Sequence, residues 1–230
     1  MKFLNLYCGL GGNRTCWSGD ITAVEYDENI AKLYQKRFPD DEVIVRDCEE
    51  FLRDKEINLN QFNLIWASPP CQSHSQMQKF NRSKTQRSPI PRMDQIYGLI
   101  VWLEQHYENY YVIENVQPHY KIPRPISARV DRHLFWANFP ITSKKFKQPK
   151  NKHGKIGGIM RNDNFDDLRF FADSLGLTSI FNDIMLLKGY RHITLIRNTI
   201  DPKIGKYIFN SFLKKPDLTK FNKIQGKIKV

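Results

Sequence analysis

The chain has 230 residues, with 36 Lys and Arg against 24 Asp and Glu, a formal charge of +12 and a pI of about 9.5. An apolar fraction of 40% with 13% aromatics argues against disorder, because such a chain can bury enough surface to offset its conformational entropy. Four cysteines (Cys8, Cys16, Cys48, Cys71) without a CxxC pair argue against a disulfide scaffold. No apolar run approaches the roughly 20 residues of a membrane span.

Met1-Lys2 leads directly into a strand-like run, so no signal peptide is expected. The composition fits a reduced, cytoplasmic, monomeric protein with no membrane contact. The excess of cations points to a polyanionic partner, most simply nucleic acid.

In chain order, Phe3–Leu6, Thr22–Glu25, Val43–Val45, Phe62–Trp66 and Tyr110–Ile113 read as strands. They are short, rich in β-branched and aromatic residues, and mostly apolar on both faces, the pattern of buried parallel strands. Asp27 is placed to cap a helix running to Phe38, with Ile30, Leu33, Tyr34 and Phe38 in one stripe and Pro39 after its end. Residues 94–107 put Ile96, Leu99, Ile100, Leu103 and Tyr107 on one face. Alternating strands and helices predict an α/β fold with a doubly wound, mostly parallel sheet.

The character changes after Pro140. Residues 144–161 hold Lys144, Lys145, Lys147, Lys150, Lys152, His153, Lys155 and Arg161 among three glycines, with little apolar periodicity before Leu168. The expected division is 1–140, a small annex at 141–195, a helix within 196–213 carrying Ile204, Tyr207, Ile208 and Phe212, and a basic tail at 214–230.

Four segments carry chemistry. Tyr7, Cys8, Gly9, Leu10, Gly11 and Gly12 follow the first strand, where glycines let backbone approach a ligand. Glu25 and Asp47 end the next two strands, with Tyr26 and Cys48 beside them. A carboxylate there can accept both hydroxyls of a ribose or an exocyclic amine, and Tyr26 can stack on adenine. The same two acids also suit helix caps. Ser68-Pro69-Pro70-Cys71-Gln72 follows the fourth strand, so Cys71 sits on a stiff turn at a strand's carboxyl end. It reads as a nucleophile if thiolate is favoured, or as a buried thiol. Glu114, in Ile113-Glu114-Asn115-Val116, can act as a proton donor in the same crevice, or as a turn carboxylate. Ser127–Trp136 brings Arg129 and Arg132 to the entry of a further strand, where arginine can hold a carbonyl or phosphate, or be solvated.

Together these segments resemble the DNA cytosine-5 methyltransferases, in particular their small phage-type members. The resemblance covers about residues 3–140 and 197–213, the latter through Arg197-Asn198-Thr199 and Pro202. It implies a Rossmann-like class I methyltransferase fold, S-adenosylmethionine as cofactor and double-stranded DNA as partner, in a bacterial or phage-infected cell, as in restriction–modification. It implies cofactor contacts from Tyr7 to Gly12, Glu25, Tyr26, Asp47, Cys48, Pro70, Asn198 and Thr199. Cys71 of Pro-Cys-Gln, with Gln72, would add to carbon 6 of cytosine, and Glu114 of Glu-Asn-Val would assist at ring nitrogen 3. Asn115 would position Glu114 or the turn, and Arg129 or Arg132 would orient the base carbonyl.

The base must be flipped out of its stack for this chemistry. DNA contacts are expected from Ser73, Gln76, Lys79, Arg82, Lys84 and Arg87 in the loop after Cys71, and from Lys144, Lys145 and Lys147. There are departures from the family pattern. Gly12 and Glu25 are close together, so only about one helical turn is expected between them. With Phe135-Trp136 as anchor, Asp131 and His133 fall where arginines are expected. Three other readings are an RNA cytosine-5 methyltransferase, a nucleotide enzyme of the thymidylate synthase type, and a methyltransferase-like DNA-binding protein without activity.

Overall fold

A computed structural model describes residues 1–70, 94–118, 121–147 and 165–215. Its strands are β1 (Lys2–Leu6), β2 (Asp20–Glu25), β3 (Glu42–Val45), β4 (Leu64–Ala67), β5 (Tyr110–Val116), β6 (Ala128–Val130) and β7 (His133–Ala137). Its helices are α1 (Glu28–Arg37), α2 (Cys48–Arg53), α3 (Asp94–His106), α4 (Phe165–Ser174), α5 (Phe181–Leu186), α6 (His192–Asn198) and α7 (Pro202–Leu213). Among the described residues no helix is long and apolar enough to cross a membrane.

The strands form one sheet in the order β3-β2-β1-β4-β5-β7-β6. Pairings from β3 through β5 are parallel, while β7 runs antiparallel to both β5 and β6. The parallel strands need helical crossovers, and these cover both faces. On one face Leu4, Leu6, Ile65, Ile113 and Trp136 pack with α2 and α3 through Phe51, Leu52, Ile96, Ile100 and Leu103. On the other, Phe3, Trp66, Val112 and Phe135 pack with α7 through Ile204, Ile208, Phe209 and Phe212. Alternate residues of β1 and β5 thus serve opposite cores, which explains their continuous apolar reading.

Several elements follow the local signals. Asp27 Oδ1 accepts from the N–H groups of Asn29 (2.9 Å) and Ile30 (3.2 Å), capping α1. Between Gly12 and β2 there is a single 3-10 turn, Asn13–Cys16. β4 starts two residues later than the apolar run suggested. Phe62 closes the 3-10 turn Leu59–Gln61 with an N–H bond to the Leu59 carbonyl (3.1 Å), so its apolar ring is buried from a turn and not from a strand.

The described part of 141–195 is helical from Phe165 onward. Leu168, Ala172, Leu177, Ile180, Phe181 and Ile184 share one apolar cluster with Leu10 of the glycine loop and Leu33 of α1. These helices therefore buttress the loop after β1. Residues 148–164 and the tail from 216, where many of the predicted cations lie, are outside the described residues.

Strand order reverses between β1 and β4. In open α/β sheets this is where a crevice opens beyond the carboxyl ends of the strands.

Candidate active site

A cavity of about 890 Å³ occupies that crevice. Its walls come from the loop after β1, the ends of β2, β4 and β5, the start of α2, the β6–β7 turn and the segment 195–200.

The first wall is the loop Tyr7–Gly12. Tyr7 (φ 54°) and Gly9 (φ 52°) turn the chain sharply out of β1. A left-handed conformation at tyrosine costs on the order of 1 kcal/mol and persists only where the surroundings hold it. Here the Tyr7 N–H donates to Cys48 Sγ (3.2 Å), and the Cys8 N–H to the Val24 carbonyl (3.1 Å). A Cβ added at Gly9 would meet nothing within 4 Å, so that backbone is open to a ligand. Arg37, whose guanidinium burial lowers to about 10, donates to the Leu10 carbonyl and ties the loop to α1. Arg14 adds a two-pronged contact to the buried Asp41 (2.7 and 2.8 Å), which also accepts from Tyr34 Oη (2.8 Å).

Gly12 has a different reason to be glycine. A Cβ there would lie 2.0 Å from the Ile200 carbonyl oxygen and 2.6 Å from Thr199 Cγ2. The loop and the C-terminal segment thus touch backbone to backbone. Gly12→Ala must push the two apart, and a loss of about 1–3 kcal/mol is expected. Urea unfolding would measure it, with a midpoint equal to that of the parent contradicting this packing.

Glu25 reaches back into the loop. Its carboxylate accepts from the Gly9 N–H (2.9 Å) and the Asp27 N–H (3.1 Å). Burial pushes its pKa up, against the opposing pull of those two N–H groups. Asp47 caps α2, taking the N–H groups of Glu49 (2.8 Å) and Glu50 (3.1 Å) on Oδ1. Capping and cavity lining therefore coexist in one carboxylate. Tyr26 lies 76% exposed at the rim, its ring free to stack. Asn198 is exposed on the wall, and Thr199 is buried with its hydroxyl on the Leu195 carbonyl (3.2 Å).

The cysteines sort by environment. Burial pushes the thiols of Cys8 and Cys48 far up, and both face neighbouring acids. They stay protonated and line the wall as apolar groups, so neither is a thiolate nucleophile. Cys71 follows Pro70 directly. Cys71, Gln72, Ser73, Gln76, Lys79, Arg82, Lys84 and Arg87 lie outside the described residues.

The turn that leads to Cys71 is held from β5. Asn115, which is buried, donates from Nδ2 to the Pro69 carbonyl (2.9 Å) and accepts the Val116 N–H on Oδ1 (2.9 Å). Of the two roles expected for Asn115, the geometry supports positioning the turn. Glu114, the preceding residue, points to the opposite face of the strand and into the cavity. Its Oε1 lies 2.6 Å from His133 Nδ1, and both side chains are only 8% exposed.

The two arginines part company. Ala128 and Val130 of β6 are buried, so the strand's alternation turns Arg129 outward. Arg129 is exposed, away from the cavity lining, and donates to Gln117 Oε1 (2.6 Å). Arg132 lines the cavity, because Asp131 adopts φ 53° and the chain turns there into β7. The signal for His133 was its place in the strand opposite β5: Val116 pairs with His133 and Glu114 with Phe135, so residue 133 lies diagonally across from Glu114 on one face.

Lys144, Lys145 and Lys147 are exposed on the segment beside β6. Lys144 pairs with β6 through backbone bonds to Arg129 and Asp131 (both 3.0 Å) and sets its ammonium 4.8 Å from the ring centres of Phe146 and Tyr207.

The residues present fit S-adenosylmethionine. An acid for a ribose, an exposed ring for a purine and open loop backbone stand along one wall, and a buried acid stands on another.

Solved structures with a similar fold are methyltransferases. One is an E. coli protein described as a DNA modification methyltransferase encoded within a prophage, at 18% identity over 53% of this chain and TM-score 0.36. The match spans 33% of that protein's length. YhhF of E. coli is similar at 14% identity over 59% of this chain and 73% of its own, TM-score 0.38. An S-adenosylmethionine-dependent methyltransferase of Clostridium acetobutylicum is similar at 14% identity over 50% of this chain and 42% of its own, TM-score 0.33. No curated protein sequence matches the chain. The family model of the C-5 cytosine-specific DNA methylases matches residues 1–120. That stretch contains the glycine loop, the acidic strand ends, the Pro-Cys-Gln turn and Glu114, and the chain belongs to the C-5 cytosine-specific DNA methylase family.

Proposed function

We propose that the protein is a DNA cytosine-5 methyltransferase. The observation that carries this reading is one cavity shared by Glu25 and the glycine loop, by Glu114, and by the Asn115-braced turn that leads to Cys71.

S-adenosylmethionine, held by the loop, Glu25, Tyr26 and Asp47, supplies an electrophilic methyl group. The chain's own residues supply the rest. Carbon 5 of cytosine is a poor nucleophile. Addition of the Cys71 thiolate to carbon 6, with a proton from Glu114 at nitrogen 3, makes carbon 5 part of an electron-rich enamine. After methylation a base removes the carbon 5 proton, the carbon 6–sulfur bond breaks and the thiolate leaves. Glu114 takes back the nitrogen 3 proton as aromaticity returns. Arg132, on the cavity wall, is the arginine that would orient the base carbonyl.

The test uses a pool of random-sequence duplex DNA with 5-fluorocytosine in place of cytosine, incubated with the protein and S-adenosylmethionine. Fluorine at carbon 5 blocks the final elimination, so a complex that survives denaturation is expected. No such complex from any pool, with cofactor binding verified by calorimetry, would overturn the proposal.

Two further results are expected. Glu25→Gln removes the anion that accepts ribose hydroxyls, and cofactor affinity should fall about 10- to 100-fold, the range for a hydrogen bond to a charged group. The raised pKa of Glu25 gives this a pH signature. As pH falls through that raised value the carboxylate is protonated, so affinity in the parent protein should weaken toward acid, and Glu25→Gln should lack this dependence. The folded state also holds this proton more tightly than the unfolded chain. Glu25 therefore costs stability once ionised, and the cost disappears below its unfolded pKa. Calorimetric titration across pH measures the affinity; parallel profiles for both proteins would contradict the assignment.

The lysines address DNA. Removing one phosphate contact lowers the slope of log K against log salt by about 0.9. Lys145→Ala and Lys147→Ala should each flatten the salt dependence by about that amount. Lys144→Ala should in addition loosen the edge of β6, since Lys144 packs on Phe146 and Tyr207. Fluorescence anisotropy over a salt series decides, and unchanged slopes would show that this edge does not face DNA.

A further inference from the structure

We propose that His133 is the positioning residue of Glu114: its ring N–H orients the carboxyl, at a position where the family pattern puts an arginine. The inference rests on the function proposed above and concerns a residue given no role there.

The geometry begins with the ring. His133 is buried in β7, with Nδ1 2.6 Å from Glu114 Oε1. Its other nitrogen, Nε2, lies 3.4 Å from Arg132 Nε. A guanidinium has only donors, so Nε2 accepts there, and in the neutral ring the proton sits on Nδ1, facing the glutamate. Arg132 is tied in turn by Nη2 to the Arg197 carbonyl (2.6 Å). Arg197 lies two residues before Thr199, on the segment that closes against Gly12. The ring plane is thus set from outside the glutamate, by a chain running from the C-terminal segment through Arg132.

Only Oε1 of Glu114 is engaged by His133. A bond at 2.6 Å in a buried site fixes the carboxyl rotamer and leaves its other oxygen to the cavity. An arginine in this place would hold the acid as a permanent anion. The neutral ring makes the same contact through one N–H and adds no fixed charge beside the acid.

Among the described residues, the polar and charged groups on the neighbouring segments are occupied. On β5 and the residue after it, Asn115 is bound to Pro69 and Gln117 to Arg129. At the β6–β7 turn, Asp131 accepts the Phe146 N–H (2.8 Å) and Arg132 is bound as above. On α6, His192 bonds the Leu187 carbonyl (2.9 Å), and Arg197 has its own interactions. Among the described residues Arg132 lies against the ring, its Nε donating to Nε2.

The test combines a readout independent of turnover with kinetics. In protein labelled with 15N-histidine, the Nδ1–H signal of His133 is expected far downfield, and Glu114→Gln should move it. This holds whether or not DNA is the substrate, so its failure is distinguishable from failure of the functional reading. In methyl transfer, His133→Ala should lower kcat about 10- to 100-fold, as for loss of one hydrogen bond to a charged group, with cofactor affinity within about twofold. His133→Asn places an amide N–H near the Nδ1 position and should recover part of kcat. His133→Arg should retain a contact to the carboxyl and lose less of kcat than His133→Ala. If His133→Ala does not fold, the Asn and Arg variants and the 15N signal still decide. A Nδ1–H signal indifferent to Glu114→Gln, or no recovery of kcat in His133→Asn relative to His133→Ala, would overturn the proposal.

Discussion

Replacement of Cys71 by alanine is expected to abolish methyl transfer, with kcat reduced by on the order of 10⁴-fold or more. The reason is chemical. Without addition at carbon 6, carbon 5 of cytosine has too little electron density to attack a methyl group, and among the described residues no other thiol in the cavity can replace the sulfur. Cys8 and Cys48 are buried thiols held protonated, and the exposed Cys16 lies outside the cavity lining. Cofactor affinity should be unchanged, because Glu25 and the glycine loop do not depend on residue 71. Transfer of radiolabelled methyl to duplex DNA, with calorimetry on the same preparation, measures both. Full activity in Cys71→Ala would sink the covalent mechanism, and Cys71→Ser would then separate a lost nucleophile from a disturbed turn.

The second large effect is expected at Glu114. Glutamine is nearly isosteric, and its carbonyl can still accept the His133 Nδ1–H, so Glu114→Gln keeps the geometry and removes the transferable proton. General acid–base contributions run to about 10²–10⁴-fold, and kcat should fall within that range. Thermal stability should change little, since the bond to His133 survives. The pattern to look for is a kcat loss without a cofactor-affinity loss. A variant within about threefold of the parent would show that the cytosine ring needs no proton from this residue, and would move attention to Arg132.

Both predictions lean on how the end of β5 is built. Glu114 and Asn115 are neighbours in sequence but face opposite sides of the strand, as the period of two requires. Both line the cavity, Glu114 with its carboxyl against His133 and Asn115 with its amide on the turn at Pro69. The Glu-Asn pair therefore sets a carboxyl in the cavity and holds the turn at Pro69.

Much of this was legible in the one-dimensional pattern. The five parallel strands announced themselves as doubly apolar runs, α1 by its Asp27 cap and following Pro39, and the cavity wall by glycines after β1 and acids at the ends of β2 and β3. These are local signals: each depends on a dihedral preference, a cap or a burial pattern within a few residues. Phe62 shows the limit of that legibility. An apolar residue before a strand reads as strand, but its backbone N–H belongs to the turn that precedes it.

The choice between Arg129 and Arg132 could not be made from spacing. It depends on the alternation of a three-residue strand and on a positive φ at Asp131. Likewise nothing near residue 133 advertises Glu114, since the two are nineteen positions apart and meet only because β7 runs antiparallel to β5.

By itself, then, the order of residues determined the fold class, the family and the cofactor, because the signals for each are confined to a turn or a strand end. The +12 charge pointed to an anionic partner without an address. Tertiary structure alone decided which arginine reaches the cavity, that Asn115 holds the Pro69 turn, that helices α4 to α6 brace the glycine loop, and that a histidine holds the acid. Those are contacts across strands and between distant segments, and their geometry is set by sheet register and packing, which no local pattern encodes.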